Sequence, residues 1–287
     1  MEWPSPVKNY HRDTYPAIDP TSARLSTSGK NVVVTGGGSG IGPVIARSFA
    51  KSGAASISIL GRTEKTLMET KNSIEKDYPE TKIYIYVADI VDKAALLTAF
   101  ESIKSAVGPG HVDILVANAG YLPGIKPIAE SEPEDWYNGF EVNVKGNFNV
   151  VTAFVPVAAR GASIINISTG VTHLTQIPGY SAYHTSKLAS AKFFEYVHYE
   201  YPDFFILNVH PGVIKTAMDA KTVESGTTLP YDEIELPADF VVWAVSAEAK
   251  FLNGKFVWAH WDVEDLQAMS KEIAETEKFT FGLLGWP

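Results

Sequence analysis

Asn31-Val32-Val33-Val34-Thr35-Gly36-Gly37-Gly38-Ser39-Gly40-Ile41-Gly42 passes from an apolar strand into a glycine-rich turn. From Ile41 to Ser52, Ile41, Val44, Ile45 and Phe49 then recur at helical spacing, and Pro43 falls in the first turn, where a missing N–H costs least. Gly36, Gly40 and Gly42 have separate tasks: sharpening the turn, letting backbone approach a pyrophosphate, and packing helix against strand. Free N–H groups at the helix start would meet the phosphates. A glycine turn alone is a weak sign of nucleotide binding. One that follows a strand and opens a helix has the context such binding requires.

The same alternation continues. Strands are predicted over Ala55 to Leu60, Lys82 to Val87, Asp113 to Ala117, Ser163 to Ile167, Phe205 to His210 and Lys255 to Ala259. Helices are predicted over Glu64 to Asp77, after the third strand through Val107, over Trp136 to Ala159, and over Tyr183 to Tyr201. This rhythm gives an α/β fold: one Rossmann-like, doubly wound domain around a seven-stranded parallel sheet covered on both faces. Residues 1 to 29, rich in proline, serine and threonine, read as an extended arm whose Trp3, Tyr10 and Tyr15 offer packing surface. Residues 30 to 265 form the expected catalytic domain and 266 to 287 a tail, with an apolar run from Phe279 to Trp286.

With 287 residues, 45% of them apolar, the chain is long enough for one large core without staples. A net charge of −9 argues against nucleic-acid or membrane-surface partners, which need a basic footprint. Cysteine is absent, so disulfides and thiolate metal sites are excluded; no metal is expected, and a cytoplasmic setting is favoured. No apolar run reaches bilayer-spanning length, and the first residues lack a secretion pattern.

Tyr183 and Lys187 stand four residues apart, so one helix face holds a phenol beside an ammonium. With a dinucleotide on the glycine turn, that pair points to hydride transfer. The end of the second strand discriminates between cofactors. An acid there grips the ribose hydroxyl of NAD, whereas this chain reads Ile59-Leu60-Gly61-Arg62. Arg62 can fork onto the extra phosphate of NADP, the alternative being a solvent-facing arginine at a helix start. NADP is the expected cofactor. Ser39 adds a hydroxyl beside the turn.

Thr-Gly-x-x-x-Gly-x-Gly at Thr35 to Gly42 and Tyr-x-x-x-Lys at Tyr183 to Lys187 make the chain resemble the short-chain dehydrogenase/reductase superfamily over roughly residues 30 to 260. Supporting pieces are Asn118-Ala119-Gly120, Asn143 in Asn143-Val144-Lys145-Gly146, Ser168 after Ile165-Asn166-Ile167, and Pro211-Gly212. The segments Tyr15-Pro16-Ala17-Ile18-Asp19-Pro20 and Trp258 to Val263 are similar to a fungal branch. The resemblance implies that Tyr183 is the acid or base, that Lys187 favours its phenolate and holds the nicotinamide ribose, that Ser168 binds the substrate oxygen, and that Asn143 completes a relay to Lys187. It further implies cofactor contacts from Gly36, Ser39, Gly40, Ile41, Gly42, Arg62, Asp89, Ile90, Asn118, Ala119, Gly120, Tyr183, Lys187, Pro211, Gly212, Val213 and Thr216. Read singly, Tyr183 is also compatible with core packing, Ser168 with a strand-end cap, and Asn143 with helix bonding.

The expected activity is interconversion of a secondary alcohol and a ketone with NADP(H), the alternative being a non-catalytic dinucleotide-binding regulatory or scaffold protein. Tyr121, Leu122, Val171, His173, Leu174, Ile177 and Met218 would line the substrate cleft and favour an apolar or aromatic carbonyl compound. A segment around 217 to 235, with Gly226 and Pro230, is expected to fold over ligand. By family resemblance, the aromatic helices Trp136 to Ala159 and Tyr183 to Tyr201 would join subunits of a homodimer or homotetramer.

Overall fold

A computed structural model describes residues 5–108, 111–224 and 230–283. The strands are β1 (Asn31–Thr35), β2 (Ser56–Gly61), β3 (Lys82–Val87), β4 (Val112–Ala117), β5 (Ala158–Ile167), β6 (Phe205–His210) and β7 (Lys255–Trp258). They form one all-parallel sheet in the order β3-β2-β1-β4-β5-β6-β7. The order reverses between β1 and β4, so a crevice opens at the carboxyl ends of these strands.

Alternate residues of each strand feed opposite cores. Val32 and Val34 of β1, with Ile57 and Ile59 of β2, join one face. That face is covered by α1 (Gly42–Lys51), α2 (Glu64–Asp77) and α8 (Glu235–Ala244), through Ile45, Phe49, Leu67, Ile74, Phe240 and Trp243. Val33, Leu60 and Leu115 point the other way, toward Phe100 and Ile103 of α3 (Lys93–Ala106), Val150 and Phe154 of α5 (Asn147–Phe154), and Phe194 and Val197 of α6 (Ser181–Glu200).

The expected helix from Trp136 to Ala159 is instead three pieces. It comprises α4 (Pro133–Phe140), a π-helical turn over Glu141–Gly146, and α5. A short 3-10 turn, Val155–Val157, follows, and Ala158 and Ala159 already belong to β5. Pro156 lacks the N–H to continue an α-helix, and Gly161 turns the chain at φ +73°. The segment placed around 217 to 235 contains α7 (Ala220–Glu224) and the start of α8; Gly226 lies outside the described residues.

The arm packs on its own domain. Ile18 and Leu25 are fully buried, and Tyr10 pairs antiparallel with Trp261. Beyond β7, α9 (Val263–Ala268) and α10 (Ser270–Glu275) bring the tail back along the edge strand. Phe279 O accepts from Phe256 N (2.8 Å), and Phe281 packs on Phe256. Trp3 and Trp286 lie outside the described residues.

Candidate active site

The glycine turn is shaped by close contact. A Cβ on Gly42 would fall 2.2 Å from Gly36 O, and one on Gly36, at φ +70°, 2.8 Å from Asn118 Nδ2. Asn118 donates from Nδ2 to Thr35 O (2.9 Å), while Asn118 N and Ala119 N both donate to Thr35 Oγ1 (3.0 Å). The ends of β1 and β4 are thereby tied together beneath the turn. Gly40, at φ +60°, meets only Thr216, at 3.7 Å or beyond, so the loop after β6 reaches the outer lip of the turn. Ser39 is exposed there, and Ile41 is half-buried.

Arg62 is exposed immediately past β2, and no described residue pairs with it. Its guanidinium keeps its full donor capacity at the lip beside the glycine turn. Asp89 accepts from Val91 N (3.1 Å). Ile90 is buried flat against Gly146, where an added Cβ would come within 2.5 Å of Ile90 Cδ1. Asn149 Nδ2 holds the Ile90 carbonyl (3.1 Å). This edge of the cleft is therefore backed by α5.

The π turn carries Asn143. Its carbonyl accepts from Asn147 Nδ2 (2.8 Å), and its side chain points inward, fully buried. Oδ1 accepts from Tyr121 N (2.8 Å), and Nδ2 donates to Tyr121 O (2.9 Å) and Ser186 Oγ (3.0 Å). Asn143 thus clamps the chain just after Gly120. A Cβ on Gly120 would lie 3.3 Å from both Asn143 Oδ1 and Lys187 Nζ, so these two polar groups converge on the same glycine.

Lys187 is buried, and its Nζ donates to Ile167 O (2.9 Å). Burial pulls its pKa down from 10.5 to about 8. Tyr183, one helical turn earlier on α6, is pushed up to about 12, chiefly by burial; a hydrogen bond with Thr169 works against that rise, and the neighbouring Tyr180 adds to it. Thr169, the residue after Ser168, is thus the neighbouring hydroxyl that favours the ionised phenol. Ser168 N donates to Val209 O (2.7 Å), and its buried Oγ has no hydrogen-bond partner among the described residues. A hydroxyl in that condition is rare in a folded chain and suits a bound oxygen.

The loop after β6 carries Pro211, Gly212 and Val213. Gly212 sits at φ +100°, where a Cβ would lie 2.8 Å from Asp232 Oδ2 and 3.1 Å from His260 Nε2. Val213 N donates to Asp232 Oδ2 (2.8 Å), so this loop is fixed from behind.

Two of the residues expected in the cleft walls contact the apolar core. His173 is exposed, but its Nε2 accepts from Trp258 Nε1 (3.0 Å) and its ring packs on Phe256 and Phe281. Desolvation against these rings, with His184 nearby, lowers its pKa to about 4. Leu174 also packs on the core. The walls gain residues that the sequence did not single out. Lys221 of α7 donates to Leu122 O (2.6 Å) and lies over the Tyr121 ring (4.4 Å), while Tyr121 donates to Asp135. Tyr180 donates to Thr222 (3.2 Å). These bonds join α7 to both sides of the cleft, but they link residues 14 to 100 positions apart, beyond any local pattern.

A family model described as short chain dehydrogenase matches residues 30–226. The chain is 33% identical over 285 residues to "Short chain dehydrogenase mpl6" of Monascus purpureus, covering 97% of this chain and 96% of that one. It is 31% identical over 286 residues to a "Short chain dehydrogenase/reductase" of Claviceps purpurea, covering 98% and 95%. Among solved structures, a dehydrogenase/reductase from Sinorhizobium meliloti superposes with a TM-score of 0.73 at 27% identity, over 82% of this chain and 95% of that one.

Proposed function

The chain belongs to the short-chain dehydrogenase/reductase family, and from that premise we propose that it reduces an apolar or aromatic ketone to a secondary alcohol with NADPH. The observation that carries the reading is the convergence of Lys187 Nζ and Asn143 Oδ1 on Gly120, with Tyr183 one helical turn from Lys187 on α6.

The residues present fit a dinucleotide. Gly36 and Gly42 leave no room for side chains between turn and helix, Gly40 stays open at the lip, and Arg62 offers a forked cation at the end of β2. Gly36, Ser39, Gly40, Ile41 and Gly42 would hold the pyrophosphate end. Asp89, Ile90, Asn118, Ala119 and Gly120 would border the adenosine and ribose. Pro211, Gly212, Val213 and Thr216 would border the nicotinamide. Bound there, NADPH supplies the hydride that the carbonyl carbon accepts.

The protein's own part is the proton. A phenol pushed to about 12 stays protonated at neutral pH and is a donor, so Tyr183 gives its proton to the carbonyl oxygen as that oxygen gains negative charge. Lys187, with a pKa near 8, is still mostly an ammonium at pH 7 and stabilises the phenolate left behind. Thr169 steadies Tyr183, Ser168 Oγ is free to donate to the substrate oxygen, and Asn143 fixes the backbone beside Lys187. Alcohol oxidation runs the same steps backwards and requires Tyr183 to start as the base, which alkaline pH favours.

Tyr121, Leu122, Val171 and Met218 favour an apolar substrate over a sugar phosphate. Self-association is assigned to the exposed aromatic surface of α5 and α6, with Phe148, Tyr196 and Tyr199. The testing experiment is a paired calorimetric titration with NADPH and NADH, repeated on Arg62→Gln. NADPH should bind at least about tenfold tighter, and the variant should lose most of that preference. Equal affinities, or equal losses for both cofactors, would overturn the phosphate role. A dinucleotide-binding scaffold would bind NADPH yet reduce no carbonyl compound.

A further inference from the structure

Behind the nicotinamide loop lies a charged cluster that the chemistry above does not use. Asp232 is 1% exposed at its side chain. Its Oδ2 accepts from Val213 N and His260 Nε2, both at 2.8 Å, and its Oδ1 accepts from Arg12 Nη1 at 2.9 Å. Its own N–H donates to Val213 O (2.9 Å), so carboxylate and backbone together grip Val213 at two points.

Three segments far apart in sequence converge on this one carboxylate. Arg12 comes from the N-terminal arm, Val213 from the loop after β6, and His260 from the turn after β7. The arm is bound on both sides of the cluster: His11 N donates to His260 O (2.8 Å), and Glu233 N donates to Arg12 O (2.8 Å). Tyr10 stacks on His260 with ring centroids 4.6 Å apart. Gly212 is pressed against the cluster so closely that a Cβ would meet both Asp232 and His260.

A buried carboxylate is costly unless each oxygen is paired. Here the arm supplies the only lysine or arginine that pairs with it among the described residues. Surface packing of an arm needs no such arrangement; apolar contacts like those of Ile18 and Leu25 suffice. The cost is met at the back of the loop that borders the nicotinamide, where a small displacement changes how the reacting ring is held.

We propose that Arg12 and Asp232 are positioning residues for the nicotinamide end of the cofactor, and that the N-terminal arm is thereby a working part of the active site. This rests on the NADP(H) reading above. Arg12 pairs with Asp232, Asp232 holds the Gly212–Val213 backbone, and that backbone sets the depth at which the nicotinamide half is seated. Arg62, assigned to the extra phosphate on the adenosine half, makes none of these contacts.

The test compares two probes on the full-length protein: NADPH, and adenosine 2′,5′-bisphosphate, which carries the adenosine half and the extra phosphate but no nicotinamide. Arg12→Met should weaken NADPH roughly tenfold while leaving the bisphosphate within about twofold, with a melting temperature close to the parent's. Arg12→Lys, which keeps the charge without the fork, should show the same selective loss to a smaller extent, and it carries the comparison if Arg12→Met does not fold. Unchanged NADPH affinity in the folded variant overturns the proposal, as does a parallel loss for both probes, which is what a purely structural arm would produce. A parent chain that binds neither probe contradicts the cofactor reading, and the proposal falls with it.

Discussion

Gly42→Ala is the perturbation whose size follows most directly from the geometry. The new methyl would stand 2.2 Å from Gly36 O, 2.8 Å from Gly36 C and 3.0 Å from Asn118 Nδ2. Real Cβ contacts stay beyond 3.0 Å, so turn and helix must separate by about 0.8 Å. Neither side can yield cheaply. Gly36 is pinned as backbone at the end of β1, and Asn118 is committed to Thr35 O. Overpacking of this kind costs about 1–3 kcal/mol, partly offset by about 0.5–1 kcal/mol from replacing a helical glycine. The net, up to about 2.5 kcal/mol, lowers Tm by up to about 5 °C for a chain of this size. The same displacement moves the N–H groups that face the pyrophosphate, so NADPH affinity should fall at least about tenfold. Gly53→Ala is the control. Its φ of +88° strains an alanine, but nothing lies within 4 Å of the new methyl. It should lose about 1–2 kcal/mol of stability and keep the parent's NADPH affinity. Thermal melts and calorimetric titrations of both variants decide. Parent-like NADPH binding in Gly42→Ala, or equal weakening in Gly53→Ala, would refute the close-approach account of the turn.

Two further outcomes are expected at the chemical site. Thr169→Val keeps the shape of the residue but removes the hydroxyl that favours the Tyr183 phenolate, and should lower turnover by about ten- to a hundredfold with NADPH affinity preserved; unchanged turnover beside a large loss in Ser168→Ala would assign the role to Ser168 alone. Lys187 has its folded pKa depressed to about 8 against 10.5, so the stability tied to it is fully present above about pH 10.5 and is lost as pH falls through about 8. On that basis the cofactor-free protein should gain on the order of 3 kcal/mol between pH 8 and 10.5 relative to Lys187→Met, read as the difference between their denaturation curves; parallel curves would show that the amine is not desolvated.

Much of the architecture was legible from periodicity. Helix Glu64–Asp77 and strands Lys82–Val87 and Phe205–His210 have the bounds that the apolar pattern predicts: the helix buries Leu67, Thr70 and Ile74 on one face, and Phe205–His210 is a short run buried throughout. The pattern fails for a helix buried on every side. In α8, Leu236 to Ala244 are buried all round, so no amphipathic stripe marks that helix. It fails again at Ala158 and Ala159, whose apolar character suits the end of a helix and the start of a strand equally.

The motif residues of the site were visible because a turn or a single helix brings them together. Gly36 to Gly42 act through one strand–helix junction, and Tyr183 and Lys187 through one helical turn. Residues that meet only through the fold were not. His173 reads as cleft-lining until β7 and the tail place Trp258, Phe256 and Phe281 around it. Arg12, Asp232 and His260 share no local pattern. Ser168 and Thr169 are adjacent hydroxyls at a strand end, and only the path of the chain past Ile167 decides which one engages Tyr183.

The central claim is that this chain moves a hydride from NADPH to a carbonyl carbon while Tyr183 supplies the proton. The most direct measurement is transfer of deuterium from 4-deuterated NADPH, each C4 face labelled in turn, to a panel of apolar and aromatic ketones, followed by mass spectrometry of the alcohol, for the parent and for Tyr183→Phe. The account predicts one deuterium on the carbinol carbon from one labelled face, and a rate at least about a hundredfold lower in Tyr183→Phe with NADPH still bound. Alcohol formed without the label from either face, or formed at the parent's rate by Tyr183→Phe, would contradict it.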